Sequence, residues 1–182
     1  MGVTATSGGW TEYGPGESYG AFDVGGFFGG AFAGYNHQTG GLVLGIEASA
    51  SYADLGFSDP FNDDMPAADI DFVATATGRL GLAAGNWLFY ATGGYAGAAA
   101  SVSLSDVSAP NTGRWSATGW LHGYTLGGGI DVRLDDVIVG VEYAYFDLGP
   151  VDMSALDSNS APHTFNVAAR FHAVMGRLGT RF

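Results

Sequence analysis

The sequence predicts an all-β chain: an eight-stranded antiparallel up-and-down transmembrane β-barrel with short periplasmic turns and long extracellular loops, with residues 1–182 as one domain. Three observations lead there. Apolar residues alternate with small or polar ones over stretches of about 9 to 13 residues, close to the ~9–11 that a tilted strand needs to cross a bilayer. Short turn signals and long polar stretches take turns in joining these segments. Charged residues make up only 13% of the chain against 47% hydrophobic ones, too few for a surface that faces water all round.

In chain order, "GVTATSGGW" opens as a first strand, and "GGFFGGAFAGYNHQ" near 25–38 is a second with a less regular pattern. "LVLGIEASASY" places Leu42, Leu44, Ile46 and Tyr52 on one face and Glu47, Ser49 and Ser51 on the other. "IDFVATATGRLGL" sets Phe72, Leu80 and Leu82 opposite Thr75, Thr77 and Arg79. "NWLFYATGGYAGAAASVSL" near 86–104 is a fifth strand whose faces the pattern does not assign. "GYTLGGGIDVRL" opposes Tyr124, Leu126 and Ile130 to Asp131 and Arg133, and "VIVGVEYAY" opposes Val139, Val141 and Tyr143 to Glu142. The closing "FHAVMGRLGTRF" puts His172, Val174 and Leu178 on one face and Arg177 and Arg181 on the other.

The short connections are "HQTGG" at 37–41, "AAGNW" at 83–87 and "LDDV" at 134–137. The long ones hold Glu12, Glu17 and Asp23, then Asp54, Asp59, Asp63, Asp64 and Asp69, then Asp147, Asp152 and Asp157. No apolar run reaches the ~18–20 residues of a spanning helix. Strands can cross hydrocarbon only as a closed sheet, because every backbone N–H and C=O there needs an internal partner. Closure turns the apolar faces outward and the small-polar faces inward.

About eight strands enclose a lumen filled by side chains rather than an open channel. The inward set contains Glu47, Arg79, Asp131, Arg133, Glu142, Arg177 and Arg181. Buried charges left unpaired cost several kcal/mol, so these seven are expected to form a salt-bridge network that plugs and registers the barrel. Tyr52, Trp87, Phe89, Tyr90, Trp120, Tyr124, Tyr143, Tyr145 and Phe182 fall near segment ends or outer faces and are expected at the membrane interface.

The net charge of −12, with six arginines and no lysine, excludes nucleic acid as a partner. The chain has no cysteine, so neither a disulfide nor a thiolate centre is available. Met1 is followed by neither the basic head nor the apolar core of an export signal, so either such a signal was never there or the chain is expected to be the mature form after signal removal.

The ordered motifs "GGAFAGYNHQ", "VLGIEASASYADL", "TGRLGL", "LFYATGGYA", "GYTLGGGID", "VGVEYAYFDLG" and "GRLGTRF" resemble the small porin-like outer-membrane β-barrel family of alphaproteobacteria. That family is in turn related to the transmembrane domain of outer-membrane protein A. The resemblance covers residues from about 24 to 182 and implies a barrel in the outer membrane of a Gram-negative bacterium. It also implies that Phe182 belongs to the C-terminal signal read by the barrel-insertion machinery. The absence of lysine and the acidity of the loops depart from the family, and acidic loops on an anionic lipopolysaccharide surface need cations or a salty medium.

Chemistry-bearing patterns are sparse. Asp59, Asp63 and Asp64 are the densest oxygen cluster, but a calcium-loop spacing with its distal Glu is missing, so they are only weak metal candidates. His37, His122, His163 and His172 lack ligand spacing. Ser116, His122 and Asp106 match no nucleophilic arrangement, so neither catalysis nor a cofactor is expected. The expected role is structural or surface-interacting, with outer-membrane lipid and lipopolysaccharide as surroundings. The alternative is a narrow porin-like channel for ions or small solutes. Outward small residues such as Gly128 and Gly176 would permit lateral association with other membrane proteins.

Overall fold

The computed structural model of the protein describes residues 2–12, 21–58, 64–106, 114–156 and 162–180, with side chains over 29–54, 69–101, 118–149 and 169–180. The architecture is an all-β, antiparallel, up-and-down sheet. Its strands are β1 (Gly2–Glu12), β2 (Ala21–Thr39), β3 (Leu42–Ser58), β4 (Asp64–Ala84), β5 (Trp87–Asp106), β6 (Arg114–Leu134), β7 (Val137–Leu156) and β8 (Pro162–Thr180). Each pairs with the next in chain order, and β1 also pairs with β8, which closes the sheet.

The three short turns fall at Gly40–Gly41, Gly85–Asn86 and Asp135–Asp136, where the sequence places them. Each begins with a left-handed residue: Gly40 at φ 60°, Gly85 at φ 62° and Asp135 at φ 55°. A reversal this tight needs positive φ, which glycine adopts freely and aspartate tolerates.

The strands are longer than the sequence pattern suggests. β2 to β8 run 17 to 21 residues, so the ladder continues into stretches that read as loops. Val151–Leu156 of β7, for instance, pairs with Pro162–Val167 of β8 across what looked like one acidic connection. Pro and Asp there suppress the strand signal without preventing pairing above the alternating zone. Irregularities between Tyr52 and Leu55, Ile70 and Phe72, and Leu148 and Val151 mark the change. Such bulges re-aim side chains near a rim.

The outer face carries the apolar stripe. Leu44, Ile46, Leu82, Leu126, Val141 and Leu178 are all exposed on it. Tyr52, Trp120, Tyr124 and Tyr143 stand outward on the loop side, with Trp87 and Phe89 outward beside a short turn. Tyr90 corrects the expectation. It lies on the inner face of β5, 7% exposed, because it alternates with Phe89 and Ala91.

The lumen is not uniformly polar, a second correction. Its loop half holds an apolar plug in which Phe146, Phe171, Leu121, Leu148 and Val73 are fully buried. The Phe146 and Phe171 rings stack at 4.5 Å between centroids and 13° between planes. Alternation inverts its meaning there: Asp147, Arg170 and His172 point out while Phe146 and Phe171 point in.

Candidate functional site: a charged layer in the lumen

Six strands each send one inward side chain to a common layer on the turn side of the plug: Glu47 from β3, Arg79 from β4, Tyr90 from β5, Asp131 from β6, Glu142 from β7 and Arg177 from β8. Antiparallel register brings them level. Gly45 pairs with Arg79, Gly81 with Tyr90, Gly129 with Glu142 and Gly140 with Arg177. Glycine beside each bulky group leaves room for it. A Cβ on Gly129 would lie 2.5 Å from the Tyr90 hydroxyl, and one on Gly140 would strike the Asp131 carboxylate.

Two guanidinium groups bridge three carboxylates. Arg177 donates from Nη2 to Glu47 Oε2 at 2.6 Å and from Nη1 to Glu142 Oε2 at 2.6 Å. Arg79 donates from Nη2 to Glu47 Oε2 at 2.8 Å and from Nη1 to Asp131 Oδ2 at 3.3 Å. Tyr90 donates its hydroxyl to Glu142 at 2.7 Å and to Asp131 at 3.4 Å. The Arg79 guanidinium also lies 4.0 Å from the centre of the Tyr90 ring, and that of Arg177 lies 4.1 Å from the Phe32 ring. Charge-assisted bonds of this kind are short and about twice as strong as neutral ones.

Five of the seven lumen residues named from sequence therefore meet. Arg133 does not: it lies at the end of β6 beside the Asp135–Asp136 turn, exposed, and takes part in none of the ion pairs among the described residues. Arg181 and Phe182 lie outside the described residues. The layer thus holds three acids and two arginines, and the neutral Tyr90 hydroxyl supplies the further donor. Tyr90 carries no formal charge, and the small residues on both faces of β5 left its side unassigned in the sequence.

Between the charged layer and the plug lies a cavity of about 220 Å³. Hydroxyls from Ser49, Ser51, Thr75, Thr77, Thr92 and Thr125 line it, with Glu47, Glu142 and Arg177 on one side and Phe146 on the other. Ser49 and Thr75 bond each other across the β3–β4 ladder at 2.6 Å.

The loop-side acids lie elsewhere. Asp54 and Asp69 are exposed. Partial burial of the carboxyl, then the neighbouring Asp71 and Asp54, push Asp69 above its ordinary value. Asp147, read from sequence as a loop acid, sits in β7 opposite Arg170, with Arg170 Nε 3.1 Å from its Oδ2. Asp59 and Asp63 lie outside the described residues, and of Asp64 only the backbone is described. His37 contacts the Thr39 hydroxyl beside the first short turn.

No family profile matches the chain. A 22 kDa outer membrane protein of Rhizobium leguminosarum bv. viciae is 33% identical over 140 residues, 74% of this chain and 58% of that protein. The 31 kDa outer-membrane immunogenic proteins of Brucella melitensis and Brucella suis are 33% identical over 169 residues, 84% of this chain and 69% of theirs. A 25 kDa outer-membrane immunogenic protein of Brucella ovis is 31% identical over 121 residues. The matched stretch spans little more than half of the Rhizobium relative, 58%. These relatives place the chain in the outer membrane of a Gram-negative bacterium. The chain belongs to the outer-membrane protein family that includes the 31 kDa outer-membrane immunogenic protein of Brucella.

Proposed function

We propose that the protein is an eight-stranded transmembrane barrel, akin to the transmembrane domain of outer-membrane protein A, that acts as a non-catalytic structural anchor presenting acidic surface segments outside the cell. The single observation that carries this reading is the filled lumen. The stacked Phe146 and Phe171 and the ion-paired layer of Arg79 and Arg177 lie in series along it. An ion following that route would have to break buried pairs and then cross an apolar section, each step costing several kcal/mol. The apolar outer stripe faces lipid in this reading, and the short turns face the periplasm. Phe182 serves the insertion machinery, and lipopolysaccharide surrounds the loop side.

The second reading, a narrow channel, is favoured by the hydroxyl-lined cavity beside the charged layer. Planar-bilayer recording on protein folded in detergent separates the two. The anchor reading expects no steady conductance from the native chain and a measurable one from the Phe146→Ala, Phe171→Ala double variant. Steady ion-selective conductance in the native protein establishes the channel instead. Heat modifiability on gels tests the barrel itself, since a closed barrel migrates faster before boiling.

A further inference from the structure

On the outer face of β6, β7 and β8, at the loop end of the apolar stripe, polar side chains form a constructed cluster. Asp147 and Arg170 are cross-strand partners, and Tyr145 and His172 are the next outward pair below them. Asp147 Oδ2 receives Arg170 Nε at 3.1 Å, the Tyr124 hydroxyl at 3.3 Å and the Tyr145 hydroxyl at 3.4 Å. Three donors on one oxygen hold the carboxylate, whose side chain is only 18% exposed, while that of Arg170 is 67% exposed. One step below, the Tyr143 hydroxyl meets His172 Nδ1 at 2.6 Å, and the Tyr145 and His172 rings lie 5.1 Å apart. Asp147 thus engages Arg170 through Nε alone among the described contacts, and Tyr143 engages His172 through Nδ1, while both side chains stand exposed two residues apart on the outer face of β8.

Charge says what such donors fit. The chain carries −12 overall, and of the arginines with described side chains, Arg79 and Arg177 are inside, Arg133 is at the turn end and Arg170 alone stands on the outer wall. An arginine on a lipid-facing wall costs about 2–4 kcal/mol at the bilayer midplane and close to nothing at the interface. Its place at the end of the stripe is therefore the headgroup level. Guanidinium forks and ring N–H groups match phosphoryl oxygens.

We infer that Arg170 and His172, held by Asp147 and Tyr143, form a binding site on the barrel wall for the phosphoryl group of an outer-leaflet lipid headgroup. The inference rests on the transmembrane reading above. It gives an otherwise anion-repelling protein one direct contact with anionic lipid that needs no bridging cation.

The test uses the full chain folded in detergent and kept in EDTA, so that cation bridges are absent, with folding checked by heat modifiability. Native mass spectrometry compares retention of bisphosphorylated lipid A with that of the same lipid after dephosphorylation. The native chain is expected to prefer the phosphorylated lipid by about tenfold, the equivalent of one good charge-assisted contact. Arg170→Gln with His172→Gln removes the preference, and Arg170→Lys retains part of it. Equal retention of both lipids by the folded native chain overturns the site, as does a folded double variant that keeps the preference. If the double variant does not fold, the native chain's two-lipid comparison and the single His172→Gln variant decide in the same way. A native chain without a heat-modifiable band overturns the barrel reading itself.

Discussion

Arg177 and Glu47, 130 residues apart in the chain, meet at 2.6 Å inside the lumen. The contact ties β8 to β3 across the barrel, a span that no backbone ladder covers. Local pairing joins neighbours only, so this layer adds a tie between strands that do not pair.

Removing one cation should therefore be costly. Arg177→Ala leaves Glu47 and Glu142 without their closest partner and is expected to destabilise the barrel by about 3–5 kcal/mol. Arg79→Ala should act in the same direction. Urea unfolding in detergent, followed by tryptophan fluorescence, measures both, and full stability in either variant contradicts the network's role.

Tyr90→Phe keeps the ring against Arg79 and deletes only the hydroxyl shared by Glu142 and Asp131. The expected loss is about 1.5–3 kcal/mol, the range for a hydrogen bond to a charged group. Tyr90→Phe with Glu142→Gln should cost less than the sum of the single changes, because the two share one contact. A double-mutant cycle reads the coupling directly.

Asp135 is the one non-glycine residue with positive φ among the described residues. Asp135→Gly should raise stability by up to about 1 kcal/mol, whereas Asp135→Val should lower it, since a β-branched side chain is excluded from that backbone region. Opposite shifts in the unfolding midpoint are the expected signature, and equal midpoints would count against strain at this turn.

Asp69 gives a pH dependence. The folded protein holds its proton more tightly than the unfolded chain does, because partial burial and then Asp71 and Asp54 disfavour the carboxylate. Stability should rise as pH falls through the raised folded value toward 3.8, with no further gain below it. Asp69→Asn should flatten that segment of the curve, and an unchanged slope there would reject the assignment.

Much of the architecture was legible in the residues. Leu42, Leu44 and Ile46 against Glu47 and Ser49 state a strand with one apolar face, and glycine at positions 40 and 85 states where the chain reverses. What misled was the assumption that alternation keeps one meaning along a strand. Phe146 and Phe171 alternate with Asp147 and Arg170 or His172, and only their height along the wall shows that here the apolar face is the inner one. β5 resisted for a different reason: with Gly93, Gly94, Ala96 and Gly97, both of its faces are small, so Tyr90 had no contrasting partner to declare its side.

By itself the sequence determined the strand class, the short reversals and a set of charges on one parity, because those follow from period-two alternation and local turn chemistry. Tertiary structure alone decided which of those charges meet. Strand length and register set each residue's height in the lumen, so Arg79 and Arg177 reach the three acids while Arg133, of the same parity as Asp131, ends at the mouth. Parity is a local property of the chain, but depth in a barrel belongs to the closed sheet as a whole.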